Sequence, residues 1–171
     1  MSELKSVEIY TAVWMHSSNP GLGTYAIILA AGKHRRELSG GYRRTSRERL
    51  ALTALALALE SLKVPVRVRA MTPAIQVADL LANGRAARWR DHHWQPRSSE
   101  RIENADLWER VLKAADPHQL SVVRDTGEES TERAHAYELA QATIAEPDLL
   151  ADSAFELLSP KAPDISQLSL L

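Results

Sequence analysis

Val7, Ile9 and Thr11 alternate with Glu8 and Tyr10, a period of two that predicts a strand with one buried face. The segments Tyr25 to Ala30 and Glu37 to Tyr42 follow across glycine-bearing connections, and the three together predict a meander. From Ser46 to Lys63 the chain is rich in alanine and leucine, apolar on nearly every side, which predicts a buried helix that Pro65 brings to an end. Val66, Val68 and Ala70 then alternate with Arg67 and Arg69 as a fourth strand. Thr72 and Pro73 suit the cap and first position of a helix running through Leu81 and stopping near Asn83 and Gly84. Residues 105–115 form another helix and Gln119 to Arg124 a fifth strand, and Ser130 or Thr131 caps a last helix reaching about Ala145. The order βββαβααβα excludes a plain doubly wound sheet and predicts an α/β domain, a mixed five-stranded sheet flanked by helices, over residues 6–145.

Pro147 interrupts the pattern. Residues 146–171 form a C-terminal extension in which Leu149, Leu150, Ala154, Leu157 and Leu158 recur at helical spacing. Two readings stand for it: a satellite that packs back on the domain, or a leucine-bearing motif offered to a protein partner in an assembly.

The chain of 171 residues is the length of one domain, and 44% hydrophobic content suffices for a single core. It has no cysteine, so neither disulfides nor thiolate metal sites are available. The N-terminus lacks the pattern of a leader, and no stretch approaches the roughly 18 apolar residues of a membrane span; a soluble, cytoplasmic protein is expected. The net charge of −1 conceals a polarity. Residues 33–101 carry 15 Lys/Arg against 6 Asp/Glu, a balance of +9, whereas residues 102–171 carry 5 against 14, a balance of −9. A basic middle is what a phosphate-contacting surface needs. The alternative is that its arginines are solvated and pair with the acidic C-terminal half.

Several segments carry a family resemblance. Val7-Glu8-Ile9-Tyr10-Thr11-Ala12 with Asn19-Pro20-Gly21, then Gly41-Tyr42-Arg43-Arg44-Thr45-Ser46-Arg47-Glu48-Arg49-Leu50-Ala51-Leu52, Val66 to Thr72, Asn104-Ala105-Asp106-Leu107-Trp108 and Arg133 to Ala140 occur in the order of a bacterial type 1 ribonuclease H with a basic handle, which this chain resembles. The resemblance implies four catalytic acids, and at their positions stand Ala12, Ala51, Met71 and Tyr137; the loop before the last helix offers Asp125-Thr126-Gly127 in place of a histidine. Cleavage by that family's mechanism needs carboxylates holding two divalent metals about 4 Å apart, and alanine, methionine and tyrosine do not supply hard oxygen ligands. No catalytic residue, metal ligand or cofactor is therefore assigned, and the expectation is a non-enzyme, a ribonuclease H-like pseudoenzyme. Glu48, Asp79, Asp125 and Glu138 are the acids from which a relocated metal site could be argued, but Glu138 points about 100° round the helix from Tyr137 and Asp79 lies too far along its own. His92 and His93 are adjacent and have no spaced carboxylate or cysteine to complete a zinc site.

The same resemblance implies nucleic-acid contacts. Arg44, Thr45 and Ser46 match a pocket for a DNA phosphate before the central helix, where the helix N-terminus adds partial positive charge; Thr45 or Ser46 could equally be a simple cap. Asn19 matches a residue near the groove, or merely stabilises its turn, and Arg47 stands where the family reads the minor groove. Arg88, Trp89, Arg90 and Trp94 resemble the basic handle, with arginines for phosphates and indole faces for sugars or bases, although two tryptophans there could also be local packing. The expected function is binding of an RNA–DNA hybrid or another duplex by a catalytically inactive module of a nucleoprotein assembly. The alternatives are a structural, protein-interaction subunit and an active metal-dependent nuclease with relocated carboxylates.

Overall fold

A computed structural model describes residues 4–95, 102–127, 130–143 and 152. Strands β1 (Ser6–Met15), β2 (Gly21–Ala31) and β3 (His34–Thr45) form the expected antiparallel meander. Helix α1 (Arg47–Glu60) follows, then β4 (Arg67–Thr72) and three helices, α2 (Ile75–Ala82), α3 (Arg85–Asp91) and α4 (Ala105–Ala115). Strand β5 (Gln119–Arg124) and helix α5 (Thr131–Ala142) end the described fold. The sheet order is β3-β2-β1-β4-β5, with β4 parallel to both β1 and β5. The mixed five-stranded α/β sheet is thus as expected, while the element order gains one helix, α3, between β4 and β5.

The alternation of β1 sorts two cores. Val7, Ile9 and Val13 join Ile27, Leu29 and Val68 on the face covered by α1, α2 and α4, where Leu50, Leu55 and Leu59 are almost without exposed surface. Tyr10 and Ala12 point the other way, to a smaller cluster with Ala26, Ile28 and the α5 residues Ala136 and Ala140. The Thr24 hydroxyl donates to the Ala140 carbonyl and fixes α5 against β2. Such two-sided covering is what a sheet with apolar residues on both faces requires.

Two helix starts differ from expectation. Thr72 remains in β4, its hydroxyl accepting from the Ala74 backbone N–H at 3.3 Å, and α2 begins at Ile75 with Ala74 in the cap position. Pro73 lacks an N–H and the residue before it adopts extended backbone more readily than helix, which delays the helix by two residues. Gly84, at φ 74°, both terminates α2 and opens α3; a left-handed position without a Cβ is what that corner needs. At the last helix Ser130 is the cap, its hydroxyl accepting from the Arg133 N–H at 3.0 Å.

Candidate functional site

The four positions where the resemblance implies acids are divided between the two apolar clusters. Ala12 is fully buried on the α5 side, with the half-buried Met71 and Tyr137 packed against the same cluster. Ala51, also without exposed surface, lies in the larger core under α1. Three of the four therefore share the α5-side cluster, and Ala51 belongs to the larger core.

The α5-side place is more polar than four apolar replacements suggest. Arg133 lies one turn before Tyr137 on α5, so both side chains share a face, and the Arg133 guanidinium carbon lies 4.9 Å from the Tyr137 ring centre. Asp125, in the loop after β5, accepts from Arg133 Nε at 2.6 Å on one oxygen and from the Tyr137 hydroxyl at 2.9 Å on the other. The Gly127 N–H adds a third bond at 2.9 Å. The Asp125 side chain is 6% exposed. Burial alone would raise its pKa, but the bonds from Arg133, Gly127 and Tyr137 outweigh it and hold the carboxyl below the usual range. Tyr137 moves the opposite way, raised by burial and then by its bond to the Asp125 carboxylate. The other relocated candidates are dispersed: Asp79 pairs with Arg124 at 3.0 Å, and Glu138 is exposed.

The expected phosphate-contact residues lie at the N-terminus of α1. Ser46 is its cap, the hydroxyl accepting from the Arg49 N–H at 3.2 Å. Asn19 is exposed, and its side-chain carbonyl accepts from the Arg47 N–H at 3.1 Å, joining the β1–β2 connection to the first turn of α1. Arg47 is exposed and its charge reaches Tyr137, whose pKa it lowers against the larger raising effects. Arg44 is half-buried. Thr45 has no exposed surface; its hydroxyl donates to Asp152 at 2.6 Å, so in this conformation it faces a carboxylate and not solvent.

That carboxylate belongs to a network sequence reasoning missed. Arg49, 3% exposed in α1, donates from Nε to Asp152 at 2.8 Å, and from its two terminal nitrogens to Asp106 at 3.0 and 2.9 Å. Burial would lower the Arg49 pKa, but the two carboxylates push it up, and the bonds from Arg49 hold Asp106 down. Positions 49, 106 and 152 share no spacing. The available signal was an arginine inside an otherwise apolar buried helix, which requires a partner.

In the handle region, Arg88 is exposed, with a long bond to the Asn83 carbonyl at 3.5 Å. Arg90 is paired with Asp116 at 3.0 Å. Trp89 packs edge-on against Trp108, ring centres 6.3 Å apart, and Trp94 is packed against the α1-side core, so both indoles contribute to local packing. Residues 146–171, expected as an extension, lie outside the described residues apart from Asp152. No helix among the described residues is long and apolar enough to cross a membrane.

A family model described as RNase H matches residues 5–141. A ribonuclease H of Rippkaea orientalis is 32% identical over 153 residues, 89% of this chain and 93% of that protein. A ribonuclease H of Acidiphilium cryptum is 41% identical over 106 residues, 60% of this chain and 63% of that protein. The fold is shared with the crystal structure of LC11-RNase H1 in complex with RNA/DNA hybrid, at a TM-score of 0.60 and 17% identity, covering 90% of this chain and 99% of that one. These relatives correct the expectation of a non-enzyme: proteins 32–41% identical to this chain carry the name of a nuclease, and replacement of four side chains does not by itself show the absence of activity. With the match spanning nearly the whole described fold, the chain belongs to the ribonuclease H family.

Proposed function

We propose that this chain acts on RNA–DNA hybrids, engaging the duplex across the N-terminus of α1 and the α5-side cluster, with Arg88 on α3 as a further phosphate contact. The observation that carries this is the placement of Arg47. Its backbone is fixed by Asn19, its side chain is exposed, and its charge reaches Tyr137. A cation so placed is open to a phosphate, and Arg133 on α5 is partly exposed as well. Arg43, Arg47 and Arg88 are exposed and have no ion pair among the described residues. Each is free to neutralise a phosphate and release its counterions.

The fold's likeness to a hybrid-bound structure supports the choice of duplex, and the relatives' name makes hydrolysis of the RNA strand the activity to assay. The test is a titration of the full chain with hybrid, double-stranded DNA, double-stranded RNA and single strands over a salt series, with strand cleavage followed in the same samples. Preferential, salt-sensitive binding of the hybrid is expected. Equal, weak affinity for all four nucleic acids, with no cleavage of any, would overturn the proposal.

A further inference from the structure

The resemblance implies a pair of divalent cations among the acids, and the groups at that place do not fit them. Magnesium and manganese select several hard, anionic oxygens. Ala12 and Ala51 present methyl groups and Met71 a thioether. Tyr137 is a phenol that burial and Asp125 keep protonated. Asp125 does supply a carboxylate, but both its oxygens are already committed to Arg133, Gly127 and Tyr137. A dication bound to Asp125 would also stand beside the Arg133 guanidinium, where charge repulsion opposes it. Among the described residues no group of three or more histidines, aspartates and glutamates could hold a metal ion.

The same contacts show what compensates the charge instead. Arg133 is fixed twice, by the 2.6 Å bond to Asp125 and by the face of Tyr137, and its side chain is 27% exposed. It is both anchored and open to solvent on one side. Arg47, its backbone N–H donating to Asn19, is a further exposed cation in the first turn of α1. We infer that Arg133 is a permanent cation in the place where the resemblance implies exchangeable ones, and that this chain binds the phosphates of a nucleic-acid duplex there without a divalent metal.

This inference rests on the proposal that the chain engages an RNA–DNA hybrid, and two measurements separate their failures. In the first, the full chain is titrated with labelled hybrid in EDTA and in millimolar magnesium at matched ionic strength. The affinity in EDTA is expected to equal or exceed that in magnesium, because magnesium only competes for phosphate. Arg133→Gln is expected to flatten the salt slope in EDTA by less than about one unit, because Asp125 already compensates part of the Arg133 charge. In the second, the free wild-type protein is titrated with Mn²⁺ and the free ion followed by electron paramagnetic resonance. No site tighter than millimolar is expected, and this arm needs no variant to fold. Hybrid binding that is lost in EDTA and restored by magnesium, or a micromolar Mn²⁺ site that Asp125→Asn abolishes, would overturn the inference. If no hybrid is bound in either buffer, the proposed function fails, and the Mn²⁺ titration alone decides whether a metal site is present.

Discussion

Ala12 has no exposed surface and lies among Tyr10, Ala26, Ile28 and Ala136, so an acid cannot be restored there without disturbing the packing. Ala12→Asp places a carboxylate in an apolar cluster with no assigned partner, and a loss of about 3 kcal/mol or more is expected in denaturant unfolding; a fully stable Ala12→Asp protein would show that this face opens to water. Asp125 gives a pH prediction. Its folded pKa is depressed, so its contribution is fully present above the unfolded value near about 4 and is lost as pH falls through the folded value. Asp106, held down by Arg49, has the same sign. Stability is therefore expected to fall on acidification below about pH 4, and Asp125→Asn should reduce the slope of that fall in thermal melts across pH. Part of this cluster was legible in the sequence. Met71 and Tyr137 could be placed together because each stands at an acid position of a recognisable motif, and both pack against the same cluster. The Asp125 link was not legible, since a loop residue's partners depend on how β5 and α5 dock, and nothing in the spacing of 125, 133 and 137 specifies that.

At the scale of elements, boundaries set by local chemistry were readable and those set by tertiary contacts were not. The limits of α4 and β5 follow from amphipathic and alternating patterns, and Ser130 is a side-chain cap. The start of α2 and the presence of α3 depend on backbone at Pro73 and Gly84 that composition leaves ambiguous. The N-terminus of α1 combines both kinds of control. Ser46→Ala removes the cap and is expected to cost about 1 kcal/mol. Arg49 carries more, because it joins α1 to the start of α4 and to Asp152 while buried. Asp152 also changes the expectation for the C-terminal extension, since at that residue the chain is bonded to Thr45 and Arg49. Truncation after Ala145 strips both of that partner. Its melting temperature is expected to drop by more than about 4 °C, the shift that corresponds to roughly 1 kcal/mol at this size. An unchanged melting temperature would return the extension to a role in assembly alone.

For the whole molecule, the contrast between a basic middle and an acidic C-terminal half has two meanings, and the structure divides the arginines between them. Arg35 pairs with Glu132, Arg49 with Asp106 and Asp152, and Arg90 with Asp116. These are the internal pairings that charge counting alone could not distinguish from a binding surface. The exposed Arg35–Glu132 and Arg90–Asp116 pairs contribute little to stability, but a paired arginine also has less to gain from a phosphate. Arg47 and Arg88 have no ion pair among the described residues. The two groups should therefore separate in a salt titration with hybrid. Arg47→Ala and Arg88→Ala are each expected to weaken binding to all sequences alike and to flatten the dependence of log K on log salt by about one unit, and the double variant by about two. Arg90→Ala, whose charge is already compensated by Asp116, is expected to move the slope by less than half as much as either. Equal slopes for all three single variants would show that the field of the whole basic segment steers the duplex, with no individual phosphate contact at Arg47 or Arg88.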